Sequence, residues 1–176
     1  MRFPIPFAAL LLAVSASAVF AQEATREDFR ELCECWEGRW VGDVTWIADW
    51  PGLGKRGDKV TCYWEARRTE DGHAMIGRFY GGTGSSTDLI FFDPGAKQIK
   101  WLVVESGGRV GEKKMYKRDG KWVQEGTGTN PDGAKIKYVG TVTITDDGNT
   151  HTWTGSATVD GKKTDDQHDV WRRVSK

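Results

Sequence analysis

From residue 39 onward the chain alternates apolar and polar side chains, and Asp-Gly pairs cut that alternation into short lengths. One run sets Trp40, Gly42, Val44 and Trp46 against Val41, Asp43, Thr45 and Ile47. The next sets Val60, Cys62, Trp64 and Ala66 against Thr61, Tyr63, Glu65 and Arg67. The same period of two returns in Ile99, Trp101 and Val103, in Trp122, Gln124 and Gly126, in Ile136 through Tyr138, Gly140 and Val142 to Ile144, and in Trp153, Gly155 and Ala157. A period of two is the mark of strands with one buried face. Asp-Gly stands at 71–72, 119–120, 132–133, 147–148 and 160–161, and Asp93-Pro94-Gly95 adds a further turn. Asp-Gly between alternating runs favours tight hairpins, because both central positions of a type I′ turn need positive φ.

With no helical stretch between strands, parallel crossovers are excluded and consecutive strands pair. About ten strands are expected, at 39–48, 58–69, 73–80, 86–92, 97–105, 109–118, 121–128, 134–145, 150–158 and 165–174. A meander of that size protects its edges most simply by closing on itself. The expected fold is therefore all-β, an antiparallel up-and-down barrel, with a two-sheet sandwich as the alternative. Ahead of it, residues 26–36 read as a short helix: Phe29, Leu32, Cys33 and Trp36 fall on one face, Thr25 is placed to cap it and Gly38 to end it.

Residues 1–21 carry Arg2, an apolar run at 7–14 and the small-residue endings Ala16-Ser17-Ala18 and Val19-Phe20-Ala21. That is the layout of a secretory signal peptide, and the run is short for a membrane span. The expected organisation is signal peptide 1–21 and one barrel domain over 22–176, exported to a periplasmic or extracellular space, with no membrane span once the leader is cleaved. The 25 basic and 25 acidic residues balance, which removes the electrostatic reason to expect nucleic acid as a partner.

Gly38-Arg39-Trp40 follows the helix and opens the first strand, and Arg172 and Arg173 lie in the last. This resembles the lipocalin-like, or calycin, signature at the superfamily level, and the layout is similar to bacterial lipocalin-like domains of unknown function. The resemblance implies a Trp at the closed end of the barrel, covered by an Arg from the final strand. Arg172, which shares parity with Val170 and Val174, is expected to be that Arg, stacked on Trp40.

Strand parity turns Trp46, Trp64, Trp101, Trp122 and Trp153 inward, with Gln124, Tyr138 and His168 as polar residues on the same rows, and Trp171, Leu102 and Val104 outward. An apolar interior with a few convergent polar groups is the form of a small-molecule site. The expected partner is a small apolar or aromatic molecule, with Trp50, Leu53, Lys55 and Arg56 as a lid at the mouth. The alternatives are a barrel filled by its own indoles that acts through its outer face, and, more distantly, an enzyme using His168. No serine elbow, zinc-binding helix or phosphate-cradling loop is present, so no catalytic residue, metal site or cofactor is named. His73 and His151 are expected at the surface. Cys62 could bond to Cys33 or Cys35, although the helix at the floor and Cys62 near the mouth argue for separation.

Overall fold

The computed structural model describes residues 23–176, and the stretch read as a signal peptide lies outside the described residues. The expected helix is present as α1 (Arg26–Trp36). Thr25 Oγ1 accepts the Asp28 N–H at 3.0 Å while the Asp28 carboxylate accepts the Thr25 N–H at 2.7 Å. This reciprocal box satisfies donors that the first turn leaves open. Phe29, Leu32, Cys33 and Trp36 come to one face and are buried. Glu37 leaves the helix in an extended conformation. Gly38, at φ +108°, starts the first strand where the Ser175 carbonyl leaves no space for a Cβ.

Ten strands follow: β1 (Gly38–Thr45), β2 (Lys59–Thr69), β3 (Ala74–Gly81), β4 (Gly84–Asp93), β5 (Gln98–Glu105), β6 (Val110–Arg118), β7 (Lys121–Thr129), β8 (Lys135–Thr145), β9 (Thr150–Val159) and β10 (Lys162–Ser175). Each pairs antiparallel with its sequence neighbours, and β10 closes onto β1, with Trp40 opposite Arg173 and Gly42 opposite Trp171. The all-β meander is thus a closed ten-strand barrel with one N-terminal helix. The Asp-Gly turns account for much of this: Asp71, Asp119, Asp147 and Asp160 and the glycines after them all have positive φ, as tight hairpins demand. Asp93 shapes its own turn by accepting the Gly95 and Ala96 N–H groups, each at 3.0 Å.

Two apolar clusters fill the ends. At the floor, Phe29, Leu32, Cys33 and Trp36 of α1 pack on Met75, Ile90, Ile99, Met115, Trp122 and Val142. At the mouth, Val44, Trp46, Trp50, Leu53, Cys62, Ile136 and Ala157 form the second cluster. Among the described residues no helix is long and apolar enough to cross a membrane.

Glycines make room for the indoles. The benzo end of Trp64 lies over Gly77, and Trp171 lies over Gly42, in each case where a Cβ would stand. Along the inward rows of β7, β8 and β9, a Cβ at Gly126, Gly140 or Gly155 would collide with a carbonyl of the neighbouring strand. These glycines allow the close backbone approach of the paired strands. Gly111, inward on β6, is different, for a Cβ there would meet a single backbone oxygen, Thr127 O, at 3.4 Å.

The last strand corrects the expected parity. β10 begins earlier than expected, and its register with β9 slips between Lys163 and Asp166. Gln167, Asp169, Trp171 and Arg173 point inward, while His168, Arg172 and Val174 are exposed or outward. A one-residue error of phase moves every side chain of a strand to the other face.

Gly77→Ala is expected to destabilise the barrel by about 1–3 kcal/mol through overpacking against Trp64. Urea denaturation reads this directly, and an unchanged midpoint would mean that Trp64 moves aside freely.

Candidate functional site

The inward rows carry a connected set of indoles. Trp64 and Trp101 have ring centroids 5.5 Å apart, Trp101 and Trp153 6.2 Å, Trp153 and Trp36 6.2 Å, and Trp36 and Trp122 5.8 Å. Toward the mouth, Trp46 and Trp171 flank Phe79 at 6.3 and 6.1 Å. Between the two ends lies a cavity of about 180 Å³ bordered by Trp36, Trp46, Trp64, Trp101, Trp153 and Trp171. A neighbouring recess of about 130 Å³ shares several of these walls and adds Gln124 and Tyr138. Trp122 packs in the floor cluster and does not border the cavity.

The interior is more charged than the sequence reading anticipated. Asp88, inward on β4, accepts Ser86 Oγ at 2.5 Å and Trp101 Nε1 at 2.6 Å, and burial pushes its carboxyl above the ordinary range. Asp169 accepts from Gln167 Nε2 at 2.6 Å and from the Thr45 N–H at 3.4 Å. Burial raises its pKa as well. Glu105 and Arg109 form a two-pronged ion pair at the mouth end, and the Arg109 guanidinium lies 4.3 Å over the Trp50 ring. Lys113, inward on β6, drapes its stem over Gly126. Its ammonium sits 5.2 Å from the Trp101 ring, 5.8 Å from Tyr138 and 6.0 Å from Trp153. Desolvation holds its pKa below the usual lysine value, against the opposing charge of Asp88.

The floor is fastened by Arg173, which takes the place expected of Arg172. Its guanidinium stacks 4.2 Å over Trp40 and donates to the carbonyls of Glu37, of Cys35 at 2.8 Å and of Gly148 at 3.1 Å. Arg172 lies outside, 3.4 Å from Asp43. Apolar Val170 and Val174 misled the assignment: the charged residue is the one with partners waiting inside.

Two histidines exchange places relative to expectation. His168 is exposed on the outer face and cannot contribute to the interior. His151, expected at the surface, is 2 % exposed and stacks between Trp36 and Trp40, with centroids 4.5 and 4.0 Å away. Burial, and then the charge of Arg173, push its pKa down to about 3 despite a hydrogen bond with the Cys35 carbonyl. Trp171, expected outside, lines the cavity, whereas Leu102 and Val104 are exposed on the outer face.

The segment between β1 and β2 covers the mouth. Trp50 and Leu53 are buried. The Leu53 carbonyl accepts the Thr83 N–H at 3.0 Å, and Thr83 Oγ1 donates to the Gly52 carbonyl at 3.2 Å. Lys55 and Arg56 remain outside this seal, Arg56 engaged by Asp165 at 2.5 Å and Lys55 3.9 Å from Asp49. All three cysteines are free, with Cys33 in the floor cluster and Cys62 in the mouth cluster. Burial raises both thiols to about 12. Among the described residues no group of three His, Cys, Asp or Glu side chains is placed to hold a metal ion.

Arg173→Met is expected to cost about 2–4 kcal/mol, from lost charge-assisted hydrogen bonds and the lost stack on Trp40. Arg172→Met should change stability by less than about 0.5 kcal/mol. Equal effects in thermal or urea denaturation would contradict the assignment. His151 yields a pH test with a definite sign. Its folded pKa is depressed, so below the unfolded value of about 6.5 the unfolded chain binds the proton first and stability falls as pH drops, by about 2 kcal/mol at pH 5. His151→Phe removes that loss, so the variant should gain about 2 kcal/mol on the native protein between pH 7 and pH 5. Asp88 and Asp169 act in the opposite sense in both proteins and cancel in the difference. Parallel urea curves at the two pH values decide it.

No family model matches the chain, and a search of curated proteins found no match. The closed ten-strand antiparallel barrel with its short helix is consistent with a lipocalin-like, calycin fold, and the architecture carries the likeness no further than that.

Proposed function

We propose that the protein is an exported carrier or sensor that binds a small aromatic molecule inside the barrel. One observation carries the reading: indoles, with polar groups such as Ser86, Asp88, Lys113 and Asp169 among them, border a cavity of about 180 Å³ that the protein's own side chains do not fill. An apolar cavity of about 150 Å³ is known to take benzene, so this space suits a molecule of one or two rings. Offset and edge-on contacts with Trp64, Trp101 and Trp153 would supply most of the binding energy, at about 0.5–1.5 kcal/mol per ring pair beyond burial. The covered mouth would keep such a ligand dry. Export rests on the signal-like composition of residues 1–21.

Native mass spectrometry of the protein from its own host addresses both parts. The expected result is a mature start near Gln22 and an additional small mass lost on solvent extraction. In vitro, naphthalene should alter the Trp fluorescence. Val103→Phe, which fills the cavity from β5, should weaken binding at least about tenfold without lowering the melting temperature, since the new ring enters existing space. A clean protein mass with no response to naphthalene would favour the filled barrel acting through its outer face.

A further inference from the structure

Resting on that reading, we infer that the ligand is a hydroxylated aromatic, its hydroxyl held between Lys113 and Gln124. Gln124 is buried at 5 % exposure, and its Oε1 has no hydrogen-bond partner among the described residues. The Lys113 ammonium has neither a hydrogen bond nor an ion pair among the described residues, and what surrounds it is the aromatic faces of Trp101, Tyr138 and Trp153. Lys113 stands opposite Gly126 across β6 and β7, and Gln124 lies two residues along from Gly126. The two side chains are therefore diagonal neighbours on one inner wall, and both border the same recess.

A buried acceptor left open costs about 1–3 kcal/mol, and one partner that both accepts from the part-buried Lys113 ammonium and donates to Gln124 Oε1 would satisfy the two together. A hydroxyl is the smallest such group: its oxygen accepts from Lys113 and its hydrogen is donated to Gln124 Oε1. The rings around Lys113 require the rest of the molecule to be flat and apolar.

Charge argues against an anionic group. The titratable residues facing Lys113 are Asp88, Glu105 and Arg109, and Glu105 already holds Arg109. Of the groups that border the cavity, the carboxylates of Asp88, Glu105 and Asp169 outnumber the cations Arg109 and Lys113, so a further negative charge would enter beside an excess of acidic groups. A neutral hydroxyl escapes that repulsion and still answers the ammonium.

The test compares 2-naphthol with 2-fluoronaphthalene, which has nearly the same shape but no donor, and with 2-naphthoate, by Trp fluorescence titration. The native protein should prefer 2-naphthol over 2-fluoronaphthalene by about tenfold or more, the scale of hydrogen bonds to a charged group. Lys113→Met and Gln124→Leu should each bring the two affinities to within about threefold of each other while 2-fluoronaphthalene binding and the melting temperature hold. Equal affinities in the native protein would overturn the inference and leave aromatic binding standing, as would a preference that survives both substitutions. Tighter binding of 2-naphthoate would overturn it in favour of an anion anchored by Lys113. If none of the probes binds, the aromatic-carrier reading fails and this inference fails with it.

Discussion

The barrel closes around one guanidinium. The last carbonyls of a helix lack intrahelical partners and form the negative end of its dipole, so a cation there is stabilising. The final turn of α1 contains no basic residue. Arg173 supplies the charge from the far end of the chain, donating to the carbonyls of Cys35 and Glu37 while its face rests on Trp40. Trp40 Nε1 in turn donates to the Trp36 carbonyl at 3.1 Å. First strand, last strand and helix thus meet at a single point, and Trp36, the floor of the cavity, is positioned by that meeting. His151, stacked between Trp36 and Trp40, completes the seal in its neutral form.

Much of this architecture was legible because it rests on local rules. Positive-φ Asp-Gly turns and a period of two identify strands and pairings without knowledge of distant contacts. The floor followed from the helix that precedes the first strand, and the inward Trp residues of β1, β2, β5, β7 and β9 followed from alternation. The last strand failed for a physical reason. Val170 and Val174 set the expected parity, since apolar residues ordinarily face inward, yet Asp169 and Arg173 have hydrogen-bond partners inside and the valines have none to lose by facing water. Trp171 opposite Gly42 was the available signal for the correct phase, since a large ring facing a glycine is a natural fit.

The polar interior was missed in a related way. Asp88 shares its row with Ile90, Lys113 with Met115, and His151 with Trp153, so the alternation carried an unread signal for all three. What hid them was the expectation that charge belongs at the surface. That expectation fails when each buried group has a specific environment: Ser86 and Trp101 for Asp88, Arg109 for Glu105, and stacked indoles for His151. Lys113 and Gln124 differ: among the described residues the Lys113 ammonium has aromatic faces around it and no hydrogen bond, and Gln124 Oε1 has no donor.

The wall of β7, β8 and β9 cannot change its inward glycines Gly126, Gly140 and Gly155, because the neighbouring carbonyls stand where side chains would go. Gly111 is not bound in this way, and it occupies the inward row between Arg109 and Lys113. Selection could enlarge that one residue and reshape the interior while leaving the closure at Arg173 and the glycine seats of the indoles untouched. Barrels of this build could then diverge in the shape of their interiors while remaining equally able to fold, at a position that folding leaves free.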